Sequence, residues 1–255
     1  GWAAARVVSV PPSRARRCRL ELASPYGPCI ARSEPSSTCP AGDVRGLPFE
    51  DGIDMTREQA LSQLQGSSFG LLIDGRQVRT SHALEVIDPA SASLLAHCPV
   101  AGPAELDAAV AAARRAQPAW AAQTWETRER ALGRFADLLE ANVDWLSALL
   151  TLEQGKPLRS ARWEITGSAD FIRTIAQLRP DEPQPPARPA SRITLRYRPL
   201  GVVAAITPWN APVMLGSAKV ANALLAGNAL VWKPSEYTPL TTLEIGRLAA
   251  DAFPP

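Results

Sequence analysis

The chain has 255 residues, enough to bury one large core or two modest ones. Its 27 basic and 25 acidic residues leave a net charge of +2, so no nucleic-acid partner is expected, because tracking phosphates needs bases clustered on one face. No apolar run reaches the ~20 residues that span a bilayer, and no membrane partner is expected either.

Residues 1–54 hold seven Pro, seven Arg and three of the four Cys, with no sustained period of 3.6 or 2. Such a segment cannot offset its ordering entropy by burial. It includes the clearest basic run, Arg14-Ala15-Arg16-Arg17-Cys18-Arg19. The first methionine is Met55, and Met55-Thr56-Arg57-Glu58 runs into a short helix. Residues 1–54 are therefore read as a disordered segment or as sequence translated ahead of the native start. Nothing at the N-terminus has a positive region followed by an apolar core, as a secretory leader would.

From residue 70 the texture changes. Leu71-Leu72-Ile73 meets the turn dipeptide Asp74-Gly75 and then Gln77-Val78-Arg79. Leu84 to Ile87 and Leu94 to His97 are two more short strands around an Asp88-Pro89-Ala90 turn, completing a small antiparallel arm. Gly102-Pro103 opens a helix, with proline at the tolerated first position and Leu106, Ala109, Val110 and Ala113 on one face. Pro118 is predicted to stop it. Thr124 caps a long helix carrying Leu132, Phe135, Leu139, Leu146 and Leu149, ended by Gly155 and Pro157. A further helix covers about 159–178, with Trp163, Ala169, Phe171, Ile175 and Leu178 as its apolar residues. Five prolines between Pro180 and Pro189 mark an extended connector.

Residues 193–198 alternate like a half-buried strand, and Gly201 to Ile206 form a continuous apolar run like a central parallel strand. A helix from about Pro212 to Ala226 ends at Gly227-Asn228. Ala229 to Trp232 is the next buried strand, and Thr238-Pro239 opens a last helix through about Ala250. This β-α-β-α order predicts an α/β fold: an incomplete doubly wound, Rossmann-like parallel sheet after a small antiparallel arm and long helices. The expected divisions are 1–54, then 55–198 for arm, helices and connector, then 199–255 for the start of a cofactor-binding domain.

Ligands collect at strand ends in such sheets. Two loops qualify: Thr207-Pro208-Trp209-Asn210 and Lys233-Pro234-Ser235-Glu236. The Asn210 carboxamide could stabilise a developing oxyanion or cap the following helix. Trp209 could line a ligand or plug the core. Lys233 and Glu236 could donate to and accept from ribose hydroxyls, or form a solvated ion pair. Lys219 either snorkels from a packed helix face or points at the site. Neither common glycine-rich phosphate cradle is present. Cys98, before Pro99, reads as a buried small hydrophobe rather than a nucleophile. The cysteines at 18, 29, 39 and 98 form no CxxC, and neither His82 nor His97 completes a ligand set. No metal site is expected, and a reducing, cytoplasmic compartment is the default.

Taken in order, these stretches resemble the N-terminal part of an NAD(P)-dependent aldehyde dehydrogenase over residues 70–255. The likeness rests on Leu72-Ile73-Asp74-Gly75, Val86 to Ala90, Ala109 to Trp120, Leu152-Glu153-Gln154-Gly155-Lys156-Pro157, Pro199 to Val203, the two loops above, and Gly227-Asn228 between them. The resemblance implies an aldehyde as the small-molecule substrate and NAD or NADP as cofactor. Glu236 tilts the choice toward NAD, since a 2′-phosphate beside a carboxylate is costly. It implies that Asn210 is the oxyanion-hole asparagine, that Ile206, Thr207, Pro208 and Trp209 line the nicotinamide site, and that Lys233, Ser235 and Glu236 stand at the adenosine ribose. Lys219 matches a helix lysine of the family without an assigned role here. The family's nucleophilic cysteine and general-base glutamate have no match in this sequence, and Cys98 does not take that place. The chain is therefore expected to be a fragment, inactive alone, weak in cofactor binding and poorly soluble, of a parent that is a homodimer or homotetramer. A semialdehyde or acylating dehydrogenase of the same superfamily, or a non-catalytic truncated protein, are the rival readings.

Overall fold

The computed structural model describes residues 55–180, 193, 194 and 196–253. The expectations for residues 1–54, for three of the four cysteines and for most of the proline-rich connector lie outside them.

The first described turn is set by local chemistry. Thr56 accepts from the Gln59 N–H while Gln59 reaches back to the Thr56 N–H, a capping box that opens α1 (Arg57–Gln65). Two antiparallel hairpins follow. In the first, β1 (Leu71–Ile73) and β2 (Arg76–Val78) flank Asp74 and Gly75, both at positive φ, as a tight hairpin turn requires. The second pairs β3 (Ala83–Ile87) with β4 (Leu94–Pro99). Here Asp88 shapes the turn by accepting from the Ala90 N–H and the Ser91 hydroxyl.

The helical part departs from the sequence reading in three ways. Helix α2 (Pro103–Ala121) runs through Pro118 rather than stopping there. The missing proline N–H is tolerated because the last turn is held from outside: Trp120 is buried and its indole N–H donates 2.9 Å to the Leu224 carbonyl. The predicted long helix is two, α3 (Trp125–Ala141) and α4 (Val143–Gln154). Asn142 sits between them at φ −113°, ψ 18°, its carboxamide donating back to the Leu138 carbonyl. That local bond competes with continued helix. In α5 (Leu158–Ala176) the buried stripe is Ala161, Ile165, Ala169, Ile172 and Ala176, whereas Trp163 is exposed. Small residues at this spacing let α5 lie close to its neighbours.

After the connector, residues 193, 194 and 196–200 are exposed and form no strand, against expectation. Their alternation has no ladder partner among the described residues. The α/β unit follows in the predicted order, β5 (Val202–Ile206), α6 (Pro212–Leu225), β6 (Ala229–Lys233) and α7 (Leu240–Ala252). Its strands are not the buried central ones expected: only Ala205 is buried, because each has a single strand neighbour among the described residues. Strands β5 and β6 are parallel, with Val202 opposite Ala229 and Ile206 opposite Lys233. Gly227, at φ 84°, turns the chain out of α6, and the Asn228 N–H returns to the Ala223 carbonyl. Asn228 also accepts from the Gly201 N–H, which joins the starts of both strands.

The main core is shared by the helices on both sides of the connector. Phe135 and Leu139 of α3, Leu146 and Leu150 of α4, Ile165 and Ile172 of α5, Val213 and Val220 of α6, and Ile245 and Leu248 of α7 form one cluster. A second cluster joins α1 and the β3–β4 hairpin to α4 through Leu64, Val86, Cys98, Trp145 and Leu149. Among the described residues no helix is long and apolar enough to cross a membrane.

Candidate active site

The two loops singled out in the sequence emerge side by side. Parallel pairing with Ile206 opposite Lys233 puts the C-terminal ends of β5 and β6 on one edge, so residues 207–211 and 234–238 open in the same direction. The loops are also tied to each other. The Thr207 N–H donates 3.2 Å to the Lys233 carbonyl, and the Trp232 indole N–H donates 3.0 Å to Thr207 Oγ1. Thr207 is buried by this, and Pro208, Trp209 and Asn210 stand out of it.

Ile206 is 68 % exposed and Trp209 53 % exposed. Trp209 belongs to neither core cluster, so the core-plug reading of it is not realised. Asn210 is exposed and does not cap α6: the N-cap is Ala211, which makes no side-chain capping bond. Its carboxamide is thus not committed to the helix. On the second loop, Lys233 and Glu236 are both well exposed, with 3.5 Å between ammonium and carboxylate. Hydrogen bonding from the Glu236 backbone, together with the charge of Lys233, holds the Glu236 carboxyl below its ordinary range. Ser235 is buried and its hydroxyl accepts from the Tyr237 N–H. Lys219 is exposed on α6.

Sequence reasoning missed two buried glutamates that stand behind these loops. Glu164 of α5 is 3 % exposed. Its Oε1 accepts from the Val213 N–H at 2.8 Å and the Met214 N–H at 3.1 Å, the first turn of α6. Its Oε2 pairs with Lys156, whose ammonium also donates 3.2 Å to the Asn210 carbonyl. Glu153 of α4 does the same for α7, accepting from the Leu240 N–H at 2.7 Å and the Thr241 N–H at 3.0 Å. Burial pushes the Glu153 carboxyl up to about 7, against the pull of those backbone N–H groups. Free N–H groups and the positive end of the dipole make helix N-termini suited to carboxylates. The opposite end of α6 has the complementary partner: the buried Arg128 donates 2.8 Å to the Leu225 carbonyl.

Cys98 lies on β4 in the second core cluster, 4 % exposed. Burial, with a smaller contribution from the Glu153 charge, pushes its thiol up to about 12. It is not a thiolate at neutral pH and is no nucleophile.

This chain belongs to the aldehyde dehydrogenase family, whose match covers residues 77–255. It is 39% identical over 195 residues to a 3,6-anhydro-alpha-L-galactose dehydrogenase of Streptomyces coelicolor, covering 72% of this chain and 38% of that protein. Among solved structures, PnpE in complex with nicotinamide adenine dinucleotide is similar at 36% identity and a TM-score of 0.71, over 74% of this chain and 40% of the other. An NADP-dependent enzyme of E. coli is similar at 35% identity and a TM-score of 0.68, over 76% and 41%. The chain thus spans about two fifths of the length of these relatives.

Proposed function

We propose that the protein takes part in oxidation of a small-molecule aldehyde to a carboxylic acid with NAD⁺ or NADP⁺ as acceptor. The observation that carries this reading is the shared edge: Ile206 opposite Lys233 in one parallel pair, with both polar loops opening from it. The residues present suit a nicotinamide dinucleotide. Lys233 and Glu236 offer an exposed donor and an ionised acceptor beside each other, fit for a pair of ribose hydroxyls. Ile206 and Trp209 offer exposed apolar surface for a flat ring. When bound, the cofactor supplies the acceptor for the hydride that the aldehyde carbon loses.

The chain's own residues supply binding and charge stabilisation. Lys233, with Ser235 shaping its loop, and Glu236 hold the ribose end. Thr207 and Pro208 fix the backbone that presents Trp209. The Asn210 carboxamide donates to the oxygen of the aldehyde as negative charge develops on it. The nucleophile is not assigned to Cys98, which is buried in the second core cluster with its thiol pushed up. The ionised Glu236 repels a 2′-phosphate, which favours NAD⁺ over NADP⁺.

The test is steady-state kinetics on the protein as its gene encodes it, with a panel of aldehydes and both cofactors, followed by reduced-cofactor absorbance. Lys233→Met should raise the cofactor KM about tenfold with little change in kcat, as loss of uniform binding does. Absence of NAD(P)⁺-dependent turnover across the panel would reject the reading.

A further inference from the structure

We propose that Lys156 and Glu164 are positioning residues for Asn210, holding its backbone so that its carboxamide is free to meet an oxyanion. The inference rests on the aldehyde dehydrogenase reading above. It starts from the cost of Glu164, a carboxylate 3 % exposed on a helix whose neighbours in the core are Ile165 and Ala169. A buried charge must be paired and hydrogen-bonded to be tolerated, and both of its oxygens are. One takes the Val213 and Met214 N–H groups; the other takes Lys156.

The geometry fixes the chain from the Asn210 carbonyl onward. Lys156 holds its carbonyl oxygen at 3.2 Å, and Glu164 holds the N–H groups three and four residues further on. Lys156 is itself on a fixed turn: Gly155 closes α4 at φ 84° with its N–H on the Thr151 carbonyl, and Pro157 opens α5. The usual way to satisfy the first turn of a helix is a local Ser, Thr, Asp or Asn side chain at the N-cap. Here the N-cap is Ala211, and a glutamate 49 residues away does the capping. The remote cap leaves the Asn210 side chain uncommitted while fixing the peptide unit that follows it and the first turn of α6. A donor aimed at a developing charge is effective when it needs no reorganisation, and that is what a buried support provides.

The test uses the protein as its gene encodes it, with Glu164→Gln and Lys156→Met alone and each combined with Asn210→Ala. Glu164→Gln keeps a carbonyl oxygen for the helix N–H groups but loses the charge that holds Lys156. Expected is a fall in kcat of about tenfold to hundredfold for a misplaced donor, with the cofactor KM nearly unchanged. In the Asn210→Ala background the same substitutions should have almost no further effect on kcat, because groups acting through one residue are not additive. Equal losses in both backgrounds would overturn the proposal. Hydrogen exchange of the same proteins gives a reading independent of turnover and of folding yield in any one variant. Amides of residues 209–211, 213 and 214 should exchange faster in Lys156→Met than in wild type while those of 240–245 do not, and unchanged exchange at the former would overturn the clamp. A wild-type protein without aldehyde oxidation would reject the functional reading and the catalytic purpose of the clamp with it. An active wild type with unaffected variants would reject the positioning role alone.

Discussion

Gly216→Ala tests how the Asn210 loop is supported from the helix side. Gly216 lies in α6 where the helix crosses Trp232 of β6. A Cβ there would stand 1.9 Å from Trp232 Cζ2, 2.6 Å from Cη2 and 2.8 Å from Cε2. No real contact is that short, so the indole or the helix must move. The indole is not free to turn, because its N–H donates 3.0 Å to Thr207 Oγ1 at the start of the loop. Overpacking of this kind costs about 2 kcal/mol, and loss of the indole hydrogen bond costs about 1 kcal/mol more. Alanine returns about 1 kcal/mol through its better helix propensity. The net expectation is destabilisation by about 2 kcal/mol, since the opposing effects nearly offset only the hydrogen bond. Urea unfolding of wild type and variant, followed by tryptophan fluorescence and far-ultraviolet circular dichroism, measures this as a lowered midpoint at unchanged slope. A midpoint equal to or above that of wild type would refute the reasoning, because propensity would then be the only effect at work.

Other outcomes follow from the buried titratable groups and from the second loop. The Glu153 carboxyl titrates at about 7 in the folded protein, against a reference of 4.5. A raised folded pKa means that the contribution to stability is full below about 4.5 and is lost as pH rises to about 7, by about 3 kcal/mol in total. Wild type should therefore lose more stability than Glu153→Gln between about pH 5 and about pH 8 in denaturant titrations, and parallel curves would contradict it. Cys98 should resist alkylation in the folded protein and react on unfolding, as mapped by mass spectrometry; rapid native labelling at Cys98 would contradict its burial. Cofactor added to the protein as encoded should quench Trp209 emission, and Trp209→Phe should abolish that part of the signal, whereas full quenching in the variant would move the ring site elsewhere.

What the sequence makes legible is local. The two loops, the strands before them and the Asp74-Gly75 turn follow from apolar runs and turn chemistry, and the structure places β5, β6 and the first hairpin where those signals put them. Pro118 misled because a local rule was overridden by the buried Trp120 and its bond to Leu224, more than a hundred residues away. The break at Asn142 was hidden because apolar spacing continues across it from Leu139 to Leu146. Trp163 counted toward the apolar face of α5 on composition, but the residues that face the core there are Ala161, Ile165, Ala169, Ile172 and Ala176. Glu153 and Glu164 were missed for a related reason. Each looks like an ordinary surface residue of a helix, and only the fold brings α6 and α7 with their open N–H groups against them. The one available signal was their setting: Glu153 and Lys156 lie in a stretch that carries the family likeness, and Glu164 follows Lys156 by eight residues.

The most direct test of the site is Asn210→Ala in the protein as its gene encodes it, assayed for aldehyde oxidation at saturating cofactor. With Asn210 as a donor to the developing oxyanion, kcat should fall about 10²- to 10³-fold while the cofactor KM holds. A variant that keeps wild-type kcat would show that the edge formed by β5 and β6 does not carry the chemistry.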